Sequence, residues 1–88
     1  MKNKIFTDSA WLDYLYWENQ DRKTLKRINQ LIEDIDRNGN SGIGRPEPLL
    51  GDLSGFFSRR IDIKNRLIYT CDSDNIYIVA CRSHYDDR

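Results

Sequence analysis

Eighty-eight residues, 39% hydrophobic and 32% charged, suffice for one globular domain, 1–88, with no room for a second core. Fourteen cations balance fourteen carboxylates, which excludes the broadly basic surface of many nucleic-acid binders. No apolar run approaches the roughly 20 residues that cross a bilayer, and MKNKIFTDSA has no signal-peptide core, so a cytoplasmic protein with no membrane partner is expected.

Lys2 to Phe6 reads as a short edge strand. Asp8 or Ser9 is suited to cap a helix. Trp11, Leu12, Leu15 and Tyr16 then form a wide apolar stripe that ends near Asn19, and Trp11 and Trp17 read as helix packing. Asp21 can cap a second helix, in which Leu25, Ile28, Leu31, Ile32 and Ile35 follow the helical period. Such neighbours predict an antiparallel helical hairpin. Residues 38–44, NGNSGIG, are a loop by composition.

Beyond that loop the pattern becomes extended. Pro46 and Pro48 hold Glu47 in an extended backbone and exclude a helix. Strands are predicted over Phe56 to Ile61, Arg66 to Cys71 and Ile76 to Arg82, with turns at Lys64-Asn65 and Asp72 to Asn75. Cys71 and Cys81 lack CxxC spacing and read as buried free thiols, not as a disulfide or metal site. The fold class is α+β: an N-terminal strand, then a two-helix hairpin packed on a mainly antiparallel sheet.

Gly44 to Arg66 concentrates the chemistry. One carboxylate, Glu47, stands between two prolines; Arg59, Arg60 and Arg66 follow, and six of the seven cations from Arg45 onward are arginine, whose planar fork binds phosphate bidentately. The single histidine, His84, lies near the end. RNA supplies its own nucleophile, the 2′-hydroxyl. Its cleavage needs a base, an acid and positive charge at the phosphate, and no metal. Glu47 fits the base, His84 the acid, and Arg66 with Arg59 or Arg60 the phosphate clamp. Phe57 and Tyr85 offer ring faces for an unstacked base. Each residue alone has a commoner explanation: a solvated loop carboxylate, a polar strand face, an exposed histidine, a rim aromatic.

Two geometric expectations follow. Arg59 and Arg60 occupy opposite strand faces, so only one reaches RNA; Arg59, sharing its face with Phe57 and Ile61, is preferred. A two-residue loop at Ser73-Asp74 would set Arg66 opposite Cys81 and turn His84 away. An odd loop, or a strand break before His84, is therefore predicted.

Taken together, the residues resemble the Txe/YoeB family of bacterial toxins, within the RelE-like group. The likeness runs along most of the chain, through Trp11 to Trp17, Lys26 to Asn29, Gly44 to Leu49, Leu53 to Ile61, Arg66 to Tyr69 and Ala80 to Tyr85. It implies a microbial-ribonuclease-like fold and a ribosome-dependent endoribonuclease acting on mRNA in the 70S A site, without metal or organic cofactor. It also implies a homodimer neutralised by a cognate YefM-like antitoxin, reaching operator DNA only in that complex. By the same resemblance Glu47 is the general base, Arg66 stabilises the phosphate, His84 is the general acid and Tyr85 positions. Arg59 and Arg60 add charge to the cleft, and Arg45 keeps a cation before the first proline. Leu50 stands where many relatives carry a lysine. The tail Asp86-Asp87-Arg88 would raise the His84 pKa if it folded back. The alternative functions are a co-repressor subunit with little nuclease activity and a helical-hairpin interaction protein.

Overall fold

The computed structural model describes residues 1–82. Its elements are β1 (Asn3–Phe6), α1 (Asp8–Gln20), α2 (Arg22–Asn38), β2 (Glu47–Pro48), a 3-10 turn (Gly51–Leu53), β3 (Phe57–Arg60), β4 (Arg66–Cys71) and β5 (Asn75–Ala80). The five strands form one sheet in the order β1-β5-β4-β3-β2. β1 runs parallel to β5, and every other pairing is antiparallel. The expected α+β architecture, two helices on a mainly antiparallel sheet, is the one observed.

The helix boundaries have local causes. Thr7, one residue before the expected caps, lies in extended backbone at the end of β1 and accepts a hydrogen bond from Ala10 N at 3.1 Å. Asp21 alone joins the helices. Its N–H donates to Trp17 O, closing α1, while its carboxylate accepts from Thr24 N and Thr24 Oγ1, opening α2. α2 is strongly amphipathic and buries Ile28, Leu31, Ile32 and Ile35. α1 is not. Ala10 and Trp17 are buried, whereas Trp11 stacks on Tyr14 and stays 47% exposed, beside an exposed Leu12.

The sheet has a core on each face. Facing the helices, Leu67, Tyr69, Ile76, Ile78 and Cys81 pack with the α2 stripe, Ala10 and Trp17. On the outer face Ile68, Ala80 and Leu49 cluster with Leu53, Phe56 and Val79. Neither cysteine is in a disulfide; Cys81 is buried and Cys71 half-buried.

The last hairpin corrects the predicted loop. Cys71 pairs with Ile76, Thr70 with Tyr77 and Tyr69 with Ile78, so the loop has the even, two-residue length. Ile68 then pairs with Ala80, which leaves Val79 as the extra residue of a β-bulge. Parity changes there: Val79 and Ala80 both belong to the outer cluster, and Cys81 returns to the helix side. The strand ends at Ala80, ahead of His84, as the alternative expectation required. Cys81 N donates to Asp13 Oδ2 at 3.0 Å and Cys81 O accepts from Trp17 Nε1 at 2.8 Å, so the departing chain is tied to α1.

Candidate active site

Strand alternation sorts the predicted site residues. Glu47 pairs with Ser58, Ser58 with Ile68 and Arg60 with Arg66. Opposed residues share a face, and Ile68 belongs to the outer cluster. Glu47, Arg60 and Arg66 therefore lie on the outer face, and Phe57 and Arg59 on the helix face. Strand spacing and rise put the Cα atoms of Glu47 and Arg66 roughly 12 Å apart, with Arg60 between them.

Glu47 is exposed, as are Arg45 and Arg60. β2 is a two-residue edge strand, a position that tolerates Pro48, which has no N–H for a further ladder. The chain just before it is pinned. Gly44 has φ +82°, and a Cβ there would lie 2.7 Å from Leu31 Cδ2 and 3.2 Å from Arg59 Cβ. Its carbonyl accepts from Arg60 N at 2.7 Å. Arg45 follows with φ 52°, uncommon for a side chain with a Cβ. The approach to Glu47 is thus fixed by close backbone contact with α2 and β3.

Arg66 is half-buried. Its Nη1 donates to the carbonyls of Asp62 at 2.7 Å and Asn65 at 3.1 Å, within the β3–β4 turn. The Asp62 carboxylate closes that turn through Lys64 N, Asn65 N and Asn65 Nδ2. Burial pushes the Asp62 carboxyl up. The Asn65 and Lys64 donors, with the Arg66 charge, outweigh it and hold the group below the usual carboxylate range.

The preference for Arg59 is corrected. Arg59 is 0% exposed, and its five N–H groups are all used. Nε donates to Tyr69 Oη at 3.1 Å, Nη1 to Asp34 Oδ2 at 2.6 Å and Ile43 O at 2.9 Å, and Nη2 to Gly39 O at 2.6 Å and Ser41 O at 2.9 Å. Its apolar neighbours are the core itself, not the floor of a base pocket. Arg59 staples the loop after α2. The hydrogen bond from Arg59 holds the Asp34 carboxyl below its ordinary value against the opposing effect of burial, helped by Ile43 N and Asn38. Burial raises the Tyr69 hydroxyl, and the Arg59 bond opposes that.

Phe57 is corrected likewise. It packs against the helix-side core, its ring centroid 6.1 Å from that of Tyr69, on the face opposite Glu47. His84, Tyr85 and the tail Asp86-Asp87-Arg88 lie outside the described residues. Among the described residues no His/Cys/Asp/Glu group is placed to hold a metal ion, and no helix is long and apolar enough to cross a membrane. The residue that sequence reasoning missed is Asp34. Its signal was a carboxylate three residues after Leu31, at the margin of the α2 apolar stripe.

A helical hairpin on one sheet face, and a proline-flanked carboxylate opposite arginines on the other, define a small α+β protein of the RelE-like fold. A family model described as "YoeB-like toxin of bacterial type II toxin-antitoxin system" matches residues 6–85. Toxin YoeB of Streptomyces coelicolor is 54% identical over 80 residues, 91% of this chain and 95% of that protein. The structure of a YoeB dimer from Staphylococcus aureus superposes with a TM-score of 0.90 at 46% identity, covering 96% of this chain and 98% of that one. A YoeB–YefM complex from the same organism gives 0.89 at 44%, covering 97% and 99%. The chain belongs to the YoeB family of type II toxin–antitoxin toxins.

Proposed function

We propose that this toxin is an endoribonuclease that cleaves mRNA in the ribosomal A site. The observation that carries the reading is the register that sets the Glu47 carboxylate on one sheet face with Arg60 and Arg66. Glu47 takes the proton of the 2′-hydroxyl, whose oxygen attacks the adjacent phosphorus. Arg66 and Arg60 balance the charge that grows on the phosphate oxygens. His84 protonates the departing 5′-oxygen, and Tyr85 positions the substrate. The products are a 2′,3′-cyclic phosphate, later opened to a 3′-phosphate, and a 5′-hydroxyl end. Activation of an internal nucleophile asks for no metal ion.

The ribosome supplies part of the substrate positioning. That accounts for a chain with no net charge whose cations are grouped locally. A YefM-like antitoxin and a second copy of the chain are the expected protein partners, in keeping with the complexes formed by the S. aureus relative. Exposed Trp11 and Leu12 on α1 offer apolar surface for such contacts.

The test is induction without antitoxin, with Glu47→Ala and His84→Ala alongside. Growth arrest with mRNA cleavage should disappear in both variants, each slowing the chemical step by about 10²–10⁴. Arrest and cleavage that survive both changes would refute the assignment. No arrest with operator binding retained in complex with antitoxin would identify a co-repressor instead.

A further inference from the structure

Zero net charge conceals a division of labour between the signs. Several of the fourteen carboxylates bond within the fold: Asp21 caps α2, Asp34 meets Arg59, Asp36 takes Lys2 N and Lys4 Nζ, and Asp62 and Asp72 close hairpin turns. The cations beside the candidate site bond to backbone carbonyls instead of carboxylates, where they bond within the fold at all. Arg27 on α2 donates Nη2 to Arg60 O at 3.3 Å, which joins the helix to the end of the arginine row. Arg60 N bonds Gly44 O, the residue before Arg45. Lys23 lies one turn before Arg27 on the same flank of α2. Among the described residues the ion pairs are Lys4–Asp36, Arg37–Glu33 and Arg59–Asp34. None engages Lys23, Arg27, Arg45 or Arg60, while the Arg66 charge acts on Asp62. The Asp21 carboxylate feels the Lys23 charge but is already bonded to Thr24.

Lys23 lies in the first turn of α2, where the macrodipole disfavours positive charge, and the acid at that end, the N-cap Asp21, is already bonded to Thr24. α2 packs on the sheet face opposite Glu47, so its cations meet the cleft only at the end of β3, where Arg27 reaches Arg60 O. Cations gathered outside the ion pairs around that end suit a polyanion. We propose that Lys23 and Arg27 extend the Glu47 cleft into a track that binds phosphates of the substrate strand flanking the scissile one. The inference rests on the reading of Glu47 and Arg66 as the cleavage site.

The test uses the full chain and single-stranded RNA blocked by 2′-methoxy groups, as a trinucleotide and as a longer strand, with anisotropy measured across a salt series. Lys23→Gln/Arg27→Gln should reduce the salt slope for the longer strand by about 1.4, at about 0.7 for each lost phosphate contact. Binding of the trinucleotide should be unchanged. The thermal midpoint should fall by no more than the loss of the single Arg27 bond to Arg60 O allows, several degrees in a domain of this size, and this separates a lost contact from a damaged fold. Equal slopes for the two proteins would overturn the track. So would absence of salt-dependent binding by the unaltered chain, or a loss seen on ribosomes but not on the free strand, which would assign these cations to ribosomal RNA. A Glu47→Gln variant separates the two readings. If it cleaves normally while the double variant loses slope, the cleavage assignment fails and the phosphate track stands. If it is inactive while the slopes are equal, the track alone fails.

Discussion

Replacing Arg59 with methionine tests the staple that fixes the approach to Glu47. The change removes five hydrogen bonds from a side chain with no exposure and leaves Asp34, 15% exposed, without its cation. Breaking a buried ion pair from one side costs about 3–5 kcal/mol. The stranded Tyr69 hydroxyl adds about 1–3 kcal/mol, whereas the carbonyls of Gly39 and Ser41 can turn to water. Partial solvation of Asp34 argues for the lower end of the combined range, so the expected loss is about 4–6 kcal/mol in total, from a stability of about 5–15 kcal/mol. With a urea slope near 1 kcal/mol/M the midpoint falls by about 4–6 M. Urea unfolding would be run in a Glu47→Gln background, which by the reading above allows the toxin to be produced. Amide exchange would follow Ile43, whose N–H bonds Asp34, and Arg60, whose N–H bonds Gly44. A loss below about 1 kcal/mol, less than one buried donor is worth, with both amides still protected would refute the staple.

Gly44→Ala should lower the melting temperature by an amount equivalent to about 1–3 kcal/mol, because its Cβ meets Leu31 and Arg59 at a positive φ; a wild-type melting curve would contradict the close approach. Trp17→Phe keeps the packing but leaves Cys81 O without its 2.8 Å donor. It should cost about 1–3 kcal/mol and reduce cleavage, since Cys81 lies three residues before His84; unchanged denaturation and cleavage would reject this. Asp34 has a depressed folded pKa, so its contribution to stability is present above the unfolded value of about 3.9 and is lost as pH falls through the lower folded value. Arg59→Met should therefore flatten the acid limb of stability below about pH 4, measured by urea midpoints across pH.

Much of this arrangement was legible from local pattern. The α2 stripe, the proline-held Glu47 and the alternation of β3 each follow from neighbouring residues, and family likeness grouped the polar ones as one expected site. What was not legible depends on distant partners. Alternation puts Arg59 and Arg60 on opposite faces, but which face is interior depends on Asp34, 25 positions earlier. Phe57 and Ile61 beside Arg59 signalled a core strand, and the guanidinium among them was mistaken for an exposed one. The bulge at Val79 has no glycine or proline to announce it. It satisfies Cys81, which must reach Asp13 and Trp17 on α1 while Ile68 keeps its place opposite Ala80. The single-residue joint at Asp21 was hidden because one side chain serves as the end of one helix and the start of the next.

The adjacent arginines of β3 therefore answer to different chemistry, and lysine separates them. Both substitutions keep the charge. At Arg60 an exposed lysine still attracts phosphate but loses the two-pronged grip, so cleavage should fall several-fold while stability stays within about 0.5 kcal/mol. At Arg59 one ammonium has three donors on a single nitrogen, and they cannot reach five acceptors spread around a planar fork. The acceptors left bare should cost about 2–3 kcal/mol, and cleavage should recover where an added stabilising change restores the fold. Matching profiles for the two variants would mean that β3 does not divide its arginines between core and cleft. The outer face would then lose its claim to be the site.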